Sequence, residues 1–216
     1  MRQILTVSRR TERQITPLHL PLLLPESLTL LRASLPSTLD IQQHIASDVG
    51  TVLADATQRH QVVLNLGANA EYAMRQTGGV LEVRLEDVQV DATLAAQHSA
   101  LRPGPYVRLL LRDTGHGMSP EVMQHIYEPF FTTKGVGEGT GIGLSVVHGI
   151  VAEHSGAIMA QSRVGHGTTF MIYLPRREPP CPAVEPQAEH TPHGRERILL
   201  VDDESDLVIL ELKLLI

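Results

Sequence analysis

The chain has 216 residues, an apolar content of 42% and a formal net charge of −6 at pH 7. The apolar content is sufficient for one domain with a hydrophobic core, and the charge excludes the basic surface typical of nucleic-acid-binding proteins. A single cysteine, Cys181, excludes an internal disulfide, and no apolar run reaches the roughly 20 residues of a membrane-spanning helix. These totals predict a cytoplasmic protein.

The N-terminal part of the chain predicts short elements separated by prolines. Residues 1–14 have the composition of a polar, arginine-rich helix, which Pro17 and Pro21 interrupt. A second short helix is predicted over residues 25–34, with the proline in its first turn. Residues 37–45 alternate apolar and polar side chains, which predicts a half-buried strand.

The middle of the chain predicts longer elements. A helix over residues 55–76 begins at Asp55 as N-cap and ends before Gly78 and Gly79. The elements predicted after it are strands over 80–86 and 106–112, a connecting loop over 91–104, helices over 119–127 and 142–154, and a hairpin of 157–162 with 168–174. Residues 177–196 are rich in proline and lack hydrophobic periodicity, which is typical of a linker.

A run of alternating glycines precedes the helix over 142–154. Glycine occupies every second position from Gly135 to Gly143. Such a backbone can approach a ligand closely, and the helix N-terminus that follows offers free N–H groups to an anion. The run alone is equally consistent with a phosphate-binding loop and with a flexible surface linker.

Two further segments carry polar side chains that could bind a ligand. Asn65 and Asn69 are four residues apart and share a helix face, where an amide oxygen could complete a Mg²⁺ shell of phosphates and water. Asp113 ends a strand and precedes a glycine turn, where its carboxylate could accept a hydrogen bond from an exocyclic amine. The alternatives are solvent-facing asparagines and a turn without a ligand.

Together these segments resemble the ATP-binding catalytic domain of two-component sensor histidine kinases. That domain belongs to a group that also includes gyrase, the ninety-kilodalton heat-shock chaperones and MutL. The resemblance is carried by five segments in the family's order: His60 to Ala70, Asp113-Thr-Gly-His-Gly-Met118, Tyr127-Glu-Pro-Phe-Phe-Thr-Thr-Lys134, Gly139-Thr-Gly-Ile-Gly-Leu-Ser145 and Gly165-His-Gly-Thr-Thr-Phe170.

The resemblance implies an α/β fold, a two-layer sandwich of the Bergerat type. In it a mixed sheet carries the helices over 55–76, 119–127 and 142–154 on one face. Asn69 is then expected to hold Mg²⁺ and Asp113 to anchor the adenine of ATP, with Gly117 admitting the base. The other residues expected at the ATP site are Gly115, Met118, Phe130, Thr132, Thr133, Lys134, Gly139, Thr140, Gly141, Ile142, Gly143, Leu144 and Thr168.

Asn65 bears on the reaction that the resemblance implies. In gyrase-like ATPases a glutamate that activates water stands four residues before the Mg²⁺ asparagine, and an amide at that position cannot accept a proton. The implied activity is that of a protein histidine kinase, in which the γ-phosphoryl passes to a histidine. The alternatives are a gyrase- or MutL-like ATPase, an anti-sigma-type serine kinase, and a nucleotide-binding regulatory module without activity.

The resemblance also implies a domain organisation. Residues 1–14 resemble the end of the family's phosphoacceptor hairpin, residues 15–176 the ATP-binding domain, and residues 197–216 the start of a response-regulator receiver domain. Asp202 and Asp203 would hold Mg²⁺ in that incomplete receiver site.

No segment matches the family's phosphoacceptor histidine motif. We therefore expect a truncated part of a hybrid sensor kinase, with any membrane anchor upstream, that binds Mg·ATP but does not autophosphorylate. The expected partners are the missing hairpin and a response regulator of a phosphorelay. The part itself is expected to be a monomer and the parent kinase a homodimer.

Overall fold

A computed structural model describes residues 15–135 and 138–177 of the chain. The strands are β1 (Thr16–Leu18), β2 (Leu39–Ile45), β3 (Thr51–Ala54), β4 (Gly79–Val90), β5 (Gly104–Asp113), β6 (Ala157–Arg163) and β7 (Gly167–Arg177). The helices are α1 (Leu20–Ser34), α2 (Ala56–Met74), α3 (Ala92–Gln97), α4 (Pro120–His125) and α5 (Gly143–Glu153). The predicted helix over 1–14, the linker, and Asp202 and Asp203 lie outside the described residues.

The strands form one mixed sheet. Its order is β1-β3-β7-β5-β4-β2, and β6 pairs with the first part of β7. β2 and β4 are parallel, whereas the other pairs are antiparallel. The long pairing of β4, β5 and β7 brings Asp113, at the end of β5, beside the start of β7.

The main hydrophobic core lies between one face of this sheet and the helices. Alternate residues of the central strands point into it because successive side chains of a strand face opposite ways. The inward residues of β4, β5 and β7 are Leu81, Val83, Leu85, Val107, Leu109, Leu111, Phe170 and Ile172. They meet buried side chains of α1, α2 and α5. This arrangement confirms the predicted α/β sandwich.

The helix α1 begins earlier than the prolines indicate. The predicted start at residue 25 is wrong, since α1 runs from Leu20, with Pro21 in the first turn and Pro25 inside the helix. A proline in the first turn removes an N–H that has no helical partner. The cost of Pro25 is offset by burial, because Leu20 and Leu24 are only 4% and 1% exposed.

Three further elements were not predicted. The strands β1 and β3 are three and four residues long, and β3 pairs with the last two residues of β7. The predicted connecting loop over 91–104 contains α3, which Asp91 caps by accepting the N–H of Leu94. Leu94 packs with Tyr106 and Tyr173 in a small cluster, and by strand alternation this cluster lies on the opposite face of the sheet.

A glycine inside α2 allows α1 to pack closely. A Cβ atom on Gly67 would lie 2.3 Å from Cδ1 of Leu31, which is almost fully buried. We expect Gly67→Ala to lower the free energy of unfolding by about 1–3 kcal/mol, since overpacking outweighs the gain in helix propensity. Urea denaturation measures this difference.

Gly149 in α5 is the matched control, because a Cβ atom there would meet nothing within 4 Å. We expect Gly149→Ala to stabilise the protein by up to about 1 kcal/mol through helix propensity alone. Equal effects of the two substitutions would contradict the close contact of α1 with Gly67.

Candidate functional site

A cleft of about 600 Å³ lies between α2, the end of β5, the start of α5 and the glycine-rich loop. We define the glycine-rich loop as residues 130–142, of which 136 and 137 are outside the described part. The predicted site residues that line the cleft are Asn65, Asn69, Asp113, Gly117, Met118, Thr132, Thr133, Lys134, Gly139, Thr140, Gly141, Gly143, Leu144 and Thr168. Segments far apart in the sequence therefore meet here.

Three predicted site residues do not line this cleft: Gly115, Phe130 and Ile142. Phe130 has a side chain that is 75% exposed, whereas its neighbour Phe131 lines the cleft. Gly115 lies against α2, because a Cβ atom there would be 2.7 Å from the carbonyl oxygen of Ala73. Gly115 still contributes to the site through its backbone N–H, which binds Asp113.

Phe131 was expected only to pack against the loop over the nucleotide, and it lines the cleft. The lining residues that sequence reasoning missed are Ala68, Tyr72, Ala73, His116, Val122, Ile126, Glu138 and Phe170. Tyr72 stands three residues after Asn69, so helical spacing could have placed it on the same face of α2. Glu138 is the acidic residue within the glycine run. Its position in the cleft depends on how the loop folds back on α2, which local spacing does not indicate.

Asp113 is buried at the floor of the cleft, with 5% of its surface exposed. Its Oδ1 accepts the N–H groups of Gly115 at 2.9 Å and Thr168 at 3.2 Å. Burial raises the pKa of Asp113, while these two hydrogen bonds and the charge of His116 act against the rise. The protein thus binds Oδ1, whereas no described residue donates a hydrogen bond to Oδ2. Oδ2 is therefore available to a ligand.

A chain of hydrogen bonds supports the surroundings of Asp113. The Oγ of Ser162 lies 2.9 Å from Oγ1 of Thr168 and donates to the carbonyl of Gly167 at 3.0 Å. The Oγ of Ser162 also accepts the N–H of Met118 at 2.8 Å. The turn after β5 is therefore fixed to the β6–β7 hairpin, which gives Asp113 a defined position.

Asn65 and Asn69 face the cleft from α2, which Asp55 caps at its N-terminus. Asn65 lies beside the first turn of α5, since a Cβ atom on Gly143 would be 3.5 Å from its Oδ1. The Oδ1 of Asn69 accepts a hydrogen bond from Nζ of Lys134 at 3.0 Å. Lys134 thereby links the glycine-rich loop to α2.

The start of α5 has the features of an anion site. No side chain caps this helix, whose N-cap residue is Ile142. The first-turn N–H groups of a helix lack helical partners and carry the positive end of its dipole. Gly143 and Leu144 of this turn line the cleft, so a phosphate in the cleft can accept hydrogen bonds from their amides.

A divalent metal at this site would need oxygen atoms from a bound phosphate-containing molecule in addition to those of the protein. No group of three or more His, Cys, Asp or Glu side chains within residues 15–135 and 138–177 could hold a metal ion. The Oδ1 of Asn69 already accepts an ammonium group, so this oxygen suits a cation. Mg²⁺ commonly takes one or two protein oxygens and completes its shell with phosphate and water. The residues therefore fit a Mg²⁺ ion that arrives with a nucleotide.

No helix in the described ranges is long and apolar enough to cross a bilayer.

Comparisons with known proteins identify the family. Residues 54–178 match the family model of histidine kinase-, DNA gyrase B- and HSP90-like ATPases. The chain is 36% identical to the sensor kinase CckA of Brucella abortus over 94% of its own length. It is 34% identical to the sensor histidine kinase ZraS of Escherichia coli K12 over 74% of its length. The chain spans only 22% and 32% of these two relatives.

Solved structures show the same fold. A mycobacterial sensor histidine kinase, MprB, has a TM-score of 0.60 at 26% identity, covering 76% of this chain and 99% of that one. The catalytic domain of histidine kinase ThkA has a TM-score of 0.60 at 28% identity, covering 76% and 96%. A complex of ThkA with the response regulator protein TrrA has a TM-score of 0.57 at 25% identity, covering 76% of this chain and 42% of that one.

The fold, the cleft and the matched family model lead to one assignment. This chain belongs to the family of histidine kinase-, DNA gyrase B- and HSP90-like ATPases, and residues 54–178 are its ATP-binding domain, of the kind found in sensor histidine kinases.

Proposed function

We propose that the chain is the ATP-binding catalytic part of a hybrid sensor histidine kinase. It transfers the γ-phosphoryl of Mg-ATP to a histidine on a helical hairpin of the full-length kinase. The observation that carries the proposal is Asn65, an amide that faces the cleft beside the phosphate-binding start of α5. A hydrolase of this family needs a proton acceptor there, and an amide cannot serve.

Each part of the cleft has a defined role in this proposal. The carboxylate of Asp113 accepts a hydrogen bond from the exocyclic amine of adenine through Oδ2, since its Oδ1 is held by backbone amides. The first-turn amides of α5 and the ammonium of Lys134 bind the phosphates. Asn69 would hold Mg²⁺, which neutralises charge on the transferred phosphoryl group. The transfer then depends on positioning the phosphoryl for an external nucleophile.

The described carboxylates that line the cleft do not replace the missing base. Asp113 lies at the buried end of the cleft, where its Oδ1 accepts two backbone amides and the proposal assigns its Oδ2 to adenine. Glu138 is paired with Arg75, whose Nη1 lies 3.2 Å from its Oε1. The proposal thus gives each of these carboxylates another partner, which favours transfer to histidine over hydrolysis.

The hybrid organisation and the phosphorelay rest on the sequence. Residues 197–205 resemble the first strand and acidic pair of a receiver domain, with Asp202 and Asp203 as its Mg²⁺ ligands, and they lie outside the described part. The solved complex of ThkA with TrrA supports a response regulator as partner. The phosphoacceptor hairpin is the second partner, and a homodimeric parent kinase would supply it.

The reaction type is tested by phosphate release. We expect the wild-type chain to bind Mg·ATP and to release no phosphate above buffer, because the cleft holds no base at Asn65. Asn65→Glu is expected to produce measurable release, since a positioned general base contributes about 10²- to 10⁴-fold. Asn65→Gln is the matched control, because it keeps the amide and should remain inactive.

Two results would contradict the proposal. Wild-type release well above buffer that Asn65→Ala abolishes would favour a gyrase- or MutL-like ATPase. Acid-labile label on the chain after incubation with radiolabelled ATP would overturn the expectation that the acceptor histidine belongs to another segment.

A further inference from the structure

A cluster of charged and aromatic side chains joins α2 to the glycine-rich loop beside the cleft. Nζ of Lys134 donates to Oδ1 of Asn69 at 3.0 Å and lies 4.6 Å from the centre of the Tyr72 ring. The guanidinium of Arg75 lies over the same ring at 4.9 Å, and its Nη1 is 3.2 Å from Oε1 of Glu138. Lys134 of the loop is thus held by residues of α2, and Glu138 by Arg75, which caps the C-terminus of α2. We call these contacts the tether.

The ammonium of Lys134 lies on the oxygen that the proposed function assigns to the metal. A Mg²⁺ ion binds its oxygen ligands at about 2.0–2.1 Å. Two cations at contact distance from one amide oxygen repel each other, and little water separates them in a partly closed cleft. The contact of Lys134 with Asn69 and a metal on Asn69 therefore exclude each other.

The surroundings of Lys134 oppose its charge and compensate for it in part. Burial lowers the pKa of Lys134, and the carboxylates of Glu71 and Glu138 act in the opposite direction. Arg75 adds a second positive charge nearby, which is balanced by its ion pairs with Glu71 at 3.2 Å and with Glu138. The ammonium is therefore stabilised by the cluster as a whole and not by Asn69 alone.

We propose that the ring of Tyr72 holds Lys134 on Asn69 before nucleotide binds, and that Arg75 supports this position by holding the loop through Glu138. Lys134 and the divalent metal then compete for the same oxygen. The inference rests on the proposed function, because it takes Asn69 as the metal ligand. When the metal and nucleotide bind, Lys134 leaves Asn69 and becomes available to the phosphates. Tyr72 and Arg75 are positioning residues that set how tightly the empty loop is tethered.

The members of the tether differ in strength. Arg75 and Glu138 each have 48% of the side chain exposed, so their ion pair contributes little by itself. The Tyr72 ring stabilises two cations on its surface, one of them partly withdrawn from water. Removal of this ring is therefore expected to weaken the tether more than removal of the ion pair.

The competition is measured by the metal dependence of nucleotide affinity. Isothermal titration with a non-hydrolysable ATP analogue gives one dissociation constant with EDTA and one with excess Mg²⁺. We expect the ratio of the first to the second to rise about 3- to 10-fold in Tyr72→Leu and about twofold in Arg75→Gln, since a weaker tether leaves Asn69 to the metal. If residue 72 also contacts the nucleotide, the effect of that contact on the two dissociation constants is the same and cancels in their ratio.

Arg84→Gln is the matched control, because Arg84 forms a surface ion pair with Glu82 on β4 and does not line the cleft. Its ratio is expected to equal that of the wild type. An unchanged ratio in Tyr72→Leu would overturn the competition. Failure of the wild type to bind the analogue in either condition would instead overturn the proposed function.

Amide hydrogen exchange tests the tether without any nucleotide. The N–H of Phe130 donates to the carbonyl of Gly141 at 2.9 Å at the base of the loop, and that of Glu138 donates to Gly135 at 3.0 Å. In nucleotide-free protein we expect both amides to exchange about 3- to 10-fold faster in Tyr72→Leu and at the wild-type rate in Arg84→Gln. Equal exchange rates in all three proteins would overturn the tether, independently of the results with nucleotide.

Discussion

The substitution Asp113→Asn is expected to lower the affinity for ATP by about 10- to 100-fold, because a hydrogen bond to a charged group contributes about 1.5–3 kcal/mol. The amide oxygen can still accept the N–H groups of Gly115 and Thr168, which bind one oxygen of the carboxylate now. The amide nitrogen then faces the exocyclic amine of adenine, and two donors repel. Titration of the wild type and the variant with ATP at pH 7 measures the loss of affinity.

The same substitution is not expected to destabilise the empty protein. Burial raises the pKa of Asp113 above its ordinary value of 3.8, so the native state binds this proton more tightly than the unfolded state. The stabilisation from this proton is complete below pH 3.8 and is lost as the pH rises through the folded-state pKa. Asparagine does not ionise, so the variant does not lose stability by deprotonation at this position as the pH rises. Urea denaturation at pH 7 should therefore find it at least as stable as the wild type.

A decrease in both ATP affinity and stability would contradict this account of Asp113. It would mean that the carboxylate supports the fold and not the ligand. An unchanged ATP affinity would support the alternative of a nucleotide-binding regulatory module without activity.

The substitution Gly117→Ala is expected to lower the free energy of unfolding by about 2–5 kcal/mol, a large part of the 5–15 kcal/mol typical of a domain. Gly117 has φ +66°, and a Cβ atom there would lie 2.1 Å from the carbonyl oxygen of Arg163. The backbone of β6 cannot move away without breaking its pairing with β7. Thermal and urea denaturation measure the effect.

Gly165 separates the two causes of this effect. It has φ +77°, yet a Cβ atom there would meet nothing within 4 Å. Gly165→Ala should therefore cost only the backbone strain, about 1–2 kcal/mol. Similar effects at Gly165 and Gly117 would show that the approach of the β6–β7 hairpin is not what requires glycine at Gly117.

Gly117 also shows where motif reasoning was incomplete. The family resemblance explains this glycine by the approach of adenine, and Gly117 does line the cleft. The geometry adds a second reason, which is the backbone of β6 behind it. A motif records that glycine is required but does not tell whether a ligand or another strand occupies the space.

The longer elements were predictable because their signals are local. The predicted helix over 55–76 and the hairpin of 157–162 with 168–174 correspond to α2, β6 and β7, since periodicity and glycines mark them. The short strands β1 and β3 carry no such signal. β3 forms because the end of β7, more than a hundred residues later, supplies its partner.

The sequence by itself determined the fold class, the family and many of the polar residues of the cleft, because these depend on spacing within single elements and on motifs in order. Only the tertiary structure decided which of those residues meet. It left Phe130 outside the cleft, brought Tyr72 and Glu138 to its wall, and joined Lys134 to Asn69 across 65 positions of the chain. Contacts between a loop and a distant helix depend on the packing of the whole domain, and local spacing does not encode them.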